Sequence, residues 1–517
     1  MRMRVRVLFA GLIALAAGLS VVGQPDSLEV RTAQGMVRGK AISGGKAHAF
    51  LGLPYAAPPV DGLRWKPPAA PDRWRGTRDA TKYGFHCMQS NPFPDMFYQD
   101  AGHSEDCLFV NVFTPANAQP DSKLPVMFWI HGGGYFAGSA SEPRHNGDFL
   151  PTHGVILVTI NYRLGVFGFL ATPELAKEGN GAAGNYGLMD QVAALQWVKE
   201  NIAAFGGNPA NVTIFGESAG SMAVSALMAA QPARGLFARA IGESGGSLQV
   251  GSAKEPSYLE VLARDEDWVK SLGVDIDHLR ELPSEVVIAA ATRTDAPEFW
   301  PVIDGRFLTE PIAVTYAAGR QAHVPLLAGW NRDERSSLAK DMTAAKWKDF
   351  AAENFGGMVA DFLKVYPGDT DEQARQSAEN YQSDSFIVTG SWRWVDGHVK
   401  TGDSPVFRYQ FDLAAPVSKF HAEQNAFHSD DIEYVFGTLD TRAGAVWRPE
   451  DRRLSEQFMQ YWTNFAKTGD PNGTGLPQWP RFDKTGHVLH LDANITTAPD
   501  SQKEREEWMI ANMKKRQ

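Results

Sequence analysis

The chain has few cysteines, and their positions limit the metal and lipid chemistry open to it. Its 517 residues include only Cys87 and Cys107. No cysteine lies before Cys87, which excludes a lipid-anchored cysteine near the N-terminus. His86 and His103 lie beside the two cysteines, but this spacing fits no established pattern of metal ligands. We therefore expect no bound metal.

The chain also lacks a surplus of basic residues. Asp and Glu number 60 against 50 Lys and Arg, which gives a formal net charge of −10 at pH 7. Since no basic run is present either, the sequence argues against binding to nucleic acids or to anionic membranes. Internal repeats and low-complexity tracts are absent. The remaining composition, 43% hydrophobic and 21% charged, is that of an ordinary globular protein.

Long apolar runs are absent except at the N-terminus. Three arginines among the first six residues precede an apolar run over residues 7–22, and small residues extend to Gly23. This order is typical of a cleaved signal peptide over residues 1–23. A permanent membrane anchor is the alternative, but the run is short for a span. We expect no stable membrane insertion, export to the periplasm or the medium, and a single domain over residues 24–517.

What the sequence does contain is a nucleophile motif between a strand and a helix. Residues 211–215 are β-branched and aromatic, which predicts a buried strand, and residues 219–228 are predicted to be helical. Between them lies Gly216-Glu217-Ser218-Ala219-Gly220, the G-x-S-x-G pattern of a nucleophile elbow. The glycines permit a tight turn that exposes the Ser218 hydroxyl, and the helix N-terminus favours negative charge there. Ser218 is the predicted nucleophile.

A second glycine motif precedes the elbow. Residues 125–130 are apolar throughout, which predicts a strand covered on both faces, and His131-Gly132-Gly133-Gly134 follows directly. Consecutive glycines let backbone N–H groups converge without obstruction, as in the HGGG-type oxyanion loop of lipases and esterases. The alternative is a flexible hairpin. We expect Gly133, Gly134 and Ala219 to form an oxyanion hole and His131 to be structural.

Several motifs in this part of the chain occur in the order of a known family. Strands predicted over residues 125–130, 155–161 and 211–215, with a helix over 188–205, indicate a parallel sheet with crossover helices. Four segments resemble the type-B carboxylesterase family, which includes cholinesterases: His131–Gly134, Tyr162–Leu170, Gly184–Gln191 and Phe215–Gly220. The resemblance extends from about Val30 to the last helix. It implies an α/β-hydrolase fold with a large, mostly parallel, twisted central sheet, helices on both faces and helical cap insertions.

The resemblance also implies which residues activate the serine. In this fold the nucleophile, the acid and the histidine follow in that order along the chain. The family's acid corresponds to Glu334, but Arg335 stands where glycine is usual, so Asp333 remains a competitor. His428 begins a segment that resembles the family's histidine loop, and His421 is the less favoured alternative.

The implied reaction is a two-step acyl transfer on a carboxylic ester. Ser218 attacks the ester carbonyl while His428 takes its proton, and His428 then protonates the leaving alcohol and activates water. No cofactor is needed. By resemblance, a secondary polar network lies behind His428, although surface polar groups are an almost equal alternative. Its members are Ser244, Asp384 and Asp431.

Aromatic residues that cholinesterases use to bind choline are missing from this chain. Cholinesterases carry a tryptophan in the disulfide loop, whereas residues 88–106 contain none. Ser337 and Leu338 stand where those enzymes place phenylalanines after the acid. A cation–π site for choline is therefore not indicated, and we expect an uncharged, possibly bulky, small-molecule ester as substrate.

Two helical segments, near residues 255–300 and 340–400, are predicted to form a cap that determines which substrates enter. Aromatic residues at these spacings are often simply core, so the assignment of pocket residues is open. The candidate substrate-binding residues are Glu217, Phe299, Trp300 and Phe386.

An even number of cysteines in an exported protein favours a disulfide between Cys87 and Cys107, closing a loop of 19 residues. Two buried free thiols are the alternative. Competing functions also remain: a lipase acting on longer-chain acylglycerols, a peptidase or amidase of the same fold, and a non-catalytic, cholinesterase-like binding protein.

Overall fold

The computed structural model describes residues 28–90, 92–248 and 256–513, so the predicted signal peptide over residues 1–23 lies outside the described residues. The strands are β1 (Glu29–Arg31), β2 (Met36–Arg38), β3 (Lys40–Ile42), β4 (Ala47–Pro54), β5 (Thr77–Asp79), β6 (His86–Cys87), β7 (His103–Ser104), β8 (Phe109–Pro115), β9 (Leu124–Ile130), β10 (Ile156–Ile160), β11 (Gly207–Glu217), β12 (Arg239–Glu243), β13 (Leu326–Asn331), β14 (Val406–Phe411), β15 (His487–Leu491) and β16 (Thr496–Pro499).

Helices surround these strands along the whole described chain. They are α1 (Gly165–Phe169), α2 (Pro173–Glu178), α3 (Tyr186–Asn201), α4 (Ala219–Ala229), α5 (Tyr258–Ser271), α6 (Ile276–Glu281), α7 (Ser284–Ala291), α8 (Ile312–Ala317), α9 (Ala344–Phe355), α10 (Val359–Val365), α11 (Asp371–Ser383), α12 (Thr389–Thr401), α13 (Ile432–Phe436), α14 (Pro449–Thr468), α15 (Phe482–Thr485) and α16 (Lys503–Met513). A π-helical segment, Asp384–Val388, joins α11 to α12. None of these described helices has the length and apolar character that crossing a membrane requires.

One mixed sheet of 11 strands organises the molecule. Its order is β16-β15-β14-β13-β12-β11-β9-β10-β8-β4-β3. The seven neighbouring strands from β15 to β10 run parallel to one another, and antiparallel strands complete both edges. The expected mostly parallel α/β-hydrolase sheet is confirmed.

The sheet is buried on both faces, which explains its uniformly apolar strands. In β9, Val126, Phe128 and Ile130 contribute to one core cluster, whereas Met127 and Trp129 contribute to the other. All five side chains are inaccessible to solvent. This follows from the alternation of side chains along a strand, and it is why residues 125–130 show no polar alternation in the sequence.

The sequence-predicted elements are present with shifted ends. The elbow strand begins at Gly207, earlier than the apolar run from 211, because Gly207 already pairs with Leu124 of β9; the register then shifts before pairing resumes at Val212. The helix predicted over 188–205 begins at Tyr186, and its last turn, Ile202–Phe205, is a 3-10 helix.

The two predicted cap segments are helical in the structure. The first contains α5, α6 and α7, and leads to Trp300. The second contains α9 to α12 and builds a separate aromatic core in which Trp347, Phe355 and Phe362 are buried. The π-helical segment of the second inserts Phe386 and Ile387 towards the carboxyl end of the sheet, where both line a cavity.

The disulfide between Cys87 and Cys107 is present, with Cα atoms 4.9 Å apart. Both sulfurs belong to buried residues. The bridge closes the loop that carries Phe93 and Met96, which line the same cavity. The disulfide therefore restrains one wall of that cavity.

Candidate active site

Ser218 lies in a strained turn between β11 and α4, at the carboxyl edge of the sheet. Its backbone has φ +55° and ψ −123°, a conformation that residues with side chains seldom adopt. A Cβ at Gly216 would lie 2.6 Å from the carbonyl oxygen of Ile130, and a Cβ at Gly220 would lie 2.0 Å from the same oxygen. Both glycines of the motif are therefore required for the turn to pack against β9.

The three glycines after β9 border the serine. A Cβ on Gly132 would lie 2.7 Å from the carbonyl oxygen of Glu217, and one on Gly133 would lie 2.2 Å from the carbonyl oxygen of Ala137. Gly133 and Gly134 have φ values of +99° and +64°, which favour glycine. Together with Ala219, the first residue of α4, they line the cavity beside Ser218. The arrangement is suited to binding an oxyanion through backbone N–H groups.

A continuous chain of hydrogen bonds joins the serine to an acid. The Nε2 atom of His428 lies 2.8 Å from Ser218 Oγ, and its Nδ1 atom lies 2.6 Å from Glu334 Oε2. The other oxygen of Glu334 accepts the N–H of Asn331 at 2.8 Å. Glu334 follows β13 and His428 lies between β14 and α13, so both reach Ser218 from the same edge of the sheet. The geometry is that of a nucleophile, a base and an orienting carboxylate.

A second carboxylate acts on the same imidazole. Glu217 Oε1 lies 3.4 Å from His428 Nε2 and accepts the Ser429 hydroxyl at 2.5 Å. Burial disfavours the imidazolium, but the charges of Glu217 and Glu334 outweigh it and raise the pKa of His428 to about 9. Burial raises the pKa of Glu217, and the charge of His428 opposes that effect. His428 therefore keeps its proton to higher pH than an ordinary histidine.

Two further buried carboxyl groups lie behind this site. Burial, together with the charges of Glu217 and Glu334, raises the pKa of Asp431 to about 7. Asp431 accepts the Tyr409 hydroxyl at 2.9 Å. Burial, followed by the charge of Asp431, raises the pKa of Glu243 well above its ordinary value, and Glu243 accepts the Trp462 N–H at 2.7 Å. Sequence reasoning missed Glu243, which follows no catalytic motif and ends a buried strand.

The cavity in front of Ser218 has a volume of about 340 Å³, within the range of small-molecule sites. Of the predicted pocket residues, Glu217, Trp300 and Phe386 line it. The Phe386 ring meets the His428 ring edge to face, with centroids 4.9 Å apart. Sequence reasoning missed several further lining residues: Phe93, Met96, Phe136, Arg144, Met222 and Ile387.

The prediction is wrong for one of the four candidate pocket residues. Phe299 does not line the cavity but is buried against Trp268, with ring centroids 5.1 Å apart. Its neighbour Trp300 lines the cavity instead and packs on Tyr135. Successive residues in an extended segment point in opposite directions, so only one of the two aromatics can face the site.

The expected network of Ser244, Asp384 and Asp431 is also not formed. Asp384 accepts the Tyr366 hydroxyl at 2.8 Å and pairs with Arg505 at 2.9 Å, which connects it to α16. Ser244 donates its backbone N–H to Gly329, and its buried hydroxyl has no hydrogen-bond partner among the described residues. Of the three, Asp431 is the residue whose charge acts on His428.

The competing acid and base occupy other positions. Asp333 pairs with Arg332 at 2.8 Å and accepts the Ala426 N–H at 3.1 Å. His421 lies 3.6 Å from Asp430, in a cleft that neighbours the cavity in front of Ser218. Neither side chain forms a hydrogen bond with Ser218, whereas Glu334 and His428 form the continuous chain described above.

His131 and the Tyr162–Leu170 segment support the site without lining it. Burial lowers the pKa of His131 to about 4, and its ring stacks on Tyr162 at 4.5 Å between centroids. Arg163 binds Asp190 through two N–H groups, at 2.8 and 2.7 Å, and both residues are buried. These contacts join two motifs that are distant in sequence.

Across the described residues, no group of three or more His, Cys, Asp or Glu side chains is placed to hold a metal ion.

Comparison with known proteins identifies the family. The model of the carboxylesterase family matches residues 26–508. The chain belongs to the carboxylesterase family. It is 36% identical over 499 residues to the para-nitrobenzyl esterase of Bacillus subtilis (strain 168), covering 93% of this chain and 98% of that protein. It is 33% identical over 505 residues to the fumonisin B1 esterase of Sphingopyxis macrogoltabida, covering 93% and 89%.

Solved structures agree with the family assignment. The fold is similar to that of a thermophilic PNB esterase, with a TM-score of 0.78, 33% identity and coverage of 93% of this chain and 99% of that one. As a member of the carboxylesterase family, the protein is a serine hydrolase that acts on carboxylic ester bonds.

Proposed function

We propose that this carboxylesterase works through an acyl-enzyme on Ser218, with His428 as the general base and Glu334 as the residue that orients it. The hydrogen-bonded chain Glu334–His428–Ser218, at 2.6 and 2.8 Å, carries the proposal. Since the serine also borders a cavity, an ester carbonyl has space to reach it.

In the first step, Ser218 Oγ attacks the carbonyl carbon while its proton moves to His428 Nε2. The negative charge forms on the carbonyl oxygen, where the N–H groups of Gly133, Gly134 and Ala219 bind it. Each such donor contributes about 3 kcal/mol to lowering the barrier in comparable enzymes. His428 then gives the proton to the departing alkoxide, and the alcohol leaves.

In the second step, His428 takes a proton from water, and the hydroxide attacks the acyl carbon. The tetrahedral intermediate collapses as His428 returns the proton to Ser218 Oγ, which releases the acid and regenerates the enzyme. Glu334 holds the Nδ1–H tautomer, so Nε2 is free to accept a proton whenever the ring is neutral.

For substrate, we propose neutral small-molecule esters over acylcholines. Two observations support this choice: residues 88–106 contain no tryptophan, and the guanidinium of Arg335, on the cavity wall, would repel a quaternary ammonium. The aromatic and methionine side chains of the wall suit bulky apolar groups.

Hydrolysis of 4-nitrophenyl esters of increasing chain length tests this proposal, with wild type and Ser218→Ala measured side by side. We expect the variant to lose about three or more orders of magnitude in kcat/KM. Ser221→Ala is the matched control, because that buried hydroxyl donates to Gly245 and faces away from the cavity lining. Equal rates in wild type and Ser218→Ala, or faster turnover of butyrylthiocholine than of a neutral thioester, would contradict the proposal.

We also propose that the protein is exported after removal of residues 1–23. The basic and apolar N-terminal pattern supports this. So does the disulfide between Cys87 and Cys107, since such bonds persist mainly in oxidising compartments.

A further inference from the structure

Arg335 places a positive charge on the wall of the cavity that contains Ser218. It follows Glu334 directly, at the position where the resemblance to the family leads us to expect glycine. It lines the cavity that contains Ser218 and also the neighbouring cleft that contains His421, and the two share Glu334 and His428 as well. A group bound at Arg335 would therefore share the cavity with the reacting serine.

The guanidinium is held by an aromatic ring and not by an acid. Its central carbon lies 3.6 Å from the centroid of the Phe386 ring. Among the described residues, no carboxylate forms an ion pair with it. The carboxylate of the adjacent Glu334 is occupied by His428 and the Asn331 N–H. Arg144, the other arginine of the cavity wall, pairs with Glu142 at 2.7 Å.

Stacking on Phe386 leaves the edge of the guanidinium available. The five N–H donors of arginine lie in the plane of the group, so a ring against its face does not block them. Phe386 is itself fixed, because it belongs to the π-helical segment and packs against His428. The donors are therefore positioned before a ligand arrives, and a carboxylate matches their geometry.

The acids of the cavity do not cancel this charge. Glu217 lies 3.4 Å from His428 Nε2 and its Oε1 accepts the Ser429 hydroxyl, so this carboxylate is paired with groups other than Arg335. Asp95 also lines the cavity, but its charge acts on Arg144 and it forms no ion pair with Arg335. Partial burial lowers the pKa of Arg335 and the charge of Glu334 raises it, while the residue as a whole stays exposed to solvent.

We propose that Arg335 forms an anion subsite, so that the enzyme prefers esters carrying a carboxylate near the scissile bond over neutral esters of the same size. The proposal rests on the acyl transfer at Ser218 described above. It extends the substrate class beyond the uncharged esters that the sequence led us to expect. Half-esters of dicarboxylic acids and esters of hydroxybenzoic acids have the required chemistry.

Two matched pairs of probes test the subsite on each side of the ester. On the acyl side, the 4-nitrophenyl monoester of glutaric acid is compared with 4-nitrophenyl valerate. On the alcohol side, the acetate of 4-hydroxybenzoic acid is compared with the acetate of 4-hydroxybenzamide. The measured quantity is the ratio of kcat/KM for the anionic probe to that for its neutral partner. This ratio is determined for wild type, Arg335→Gln, Arg335→Lys and Arg335→Gly at low ionic strength.

We expect Arg335→Gln and Arg335→Gly to lower the ratio about tenfold in at least one pair, with Arg335→Lys between them and wild type. Arg293→Gln, which removes an exposed charge paired with Asp295, is the control and should leave both ratios unchanged. The neutral probes report folding and chemistry in every variant. Ratios that do not change in either pair would overturn the subsite. If the wild type hydrolyses neither the anionic nor the neutral probes, that result would instead overturn the acyl transfer at Ser218.

Discussion

At the scale of the residue, the backbone conformation that exposes the Ser218 hydroxyl is energetically unfavourable. A non-glycine residue at φ +55° costs on the order of 1–3 kcal/mol, which the surrounding packing must offset. The Ser218 N–H donates to Glu243 at 2.9 Å, and the first turn of α4 begins from its carbonyl. This turn directs Oγ away from the sheet and towards His428.

The charge of Glu217 should influence the pH dependence of the reaction, because it raises the pKa of His428. Only a neutral His428 can accept the serine proton, and its pKa is raised to about 9, so activity should increase with pH up to that region. Replacing Glu217 with Gln removes a negative charge 3.4 Å from Nε2. We expect the acidic limb of kcat/KM in Glu217→Gln to shift to lower pH by about one unit.

The measurement is kcat/KM on a neutral ester between pH 5.5 and 10. Glu285→Gln is the control, since that exposed carboxylate pairs with His103. An acidic limb that does not move in Glu217→Gln would contradict this account of His428.

At the scale of the element, the site is built at the carboxyl ends of strands. The oxyanion loop follows β9, the nucleophile follows β11 and the acid follows β13. Because these strands are parallel, their carboxyl ends lie at one edge, where ligands of open α/β sheets bind. The loop closed by the disulfide adds Phe93 and Met96 to the opposite wall.

Removing that disulfide tests the role of the loop. The Cys87→Ser/Cys107→Ser variant should lose about 3 kcal/mol in its free energy of unfolding, since the unfolded chain is no longer cross-linked. Urea unfolding followed by tryptophan fluorescence measures the loss. Because the loop carries Phe93, KM for bulky esters should also increase. Equal stability in the wild type and the variant would show that the bridge does not restrain the unfolded chain.

The sequence predicted the elements whose signals are local. The elbow, the glycine loop and the apolar strands each depend on a few neighbouring residues, and Ser218, Glu334 and His428 come together in the structure as predicted. Side chains placed by distant packing were not predictable in this way. Phe299 lies in the core because its ring packs against Trp268 and does not face the cavity. Asp384 pairs with Arg505 of α16, a contact that no sequence motif indicates.

At the scale of the whole molecule, the two helical segments predicted to form the cap each contribute an aromatic residue to the cavity. Trp300 comes from the first and Phe386 from the second, and both line the cavity. The second also contacts the C-terminal helix, since Asp384 pairs with Arg505 of α16 at 2.9 Å. The cavity wall is therefore connected to the end of the chain through a buried ion pair.

The proposed export concerns the whole chain and has its own test. When the full sequence is expressed in a secreting bacterium, we expect the periplasm or medium to contain a chain shortened by about the predicted 23 residues, because small residues end the apolar run there. N-terminal sequencing of that protein gives the cleavage site. A chain that retains its N-terminus and stays with the membrane fraction would instead indicate an anchor.

The central claim is that Ser218 carries the acyl group, and covalent labelling tests it most directly. Wild type and Ser218→Ala are treated with a fluorophosphonate, digested, and analysed by peptide mass spectrometry. We predict one adduct per chain, on the peptide that contains Ser218, and none on the variant. An adduct on a different residue, or esterase activity that persists after complete labelling of Ser218, would contradict the account.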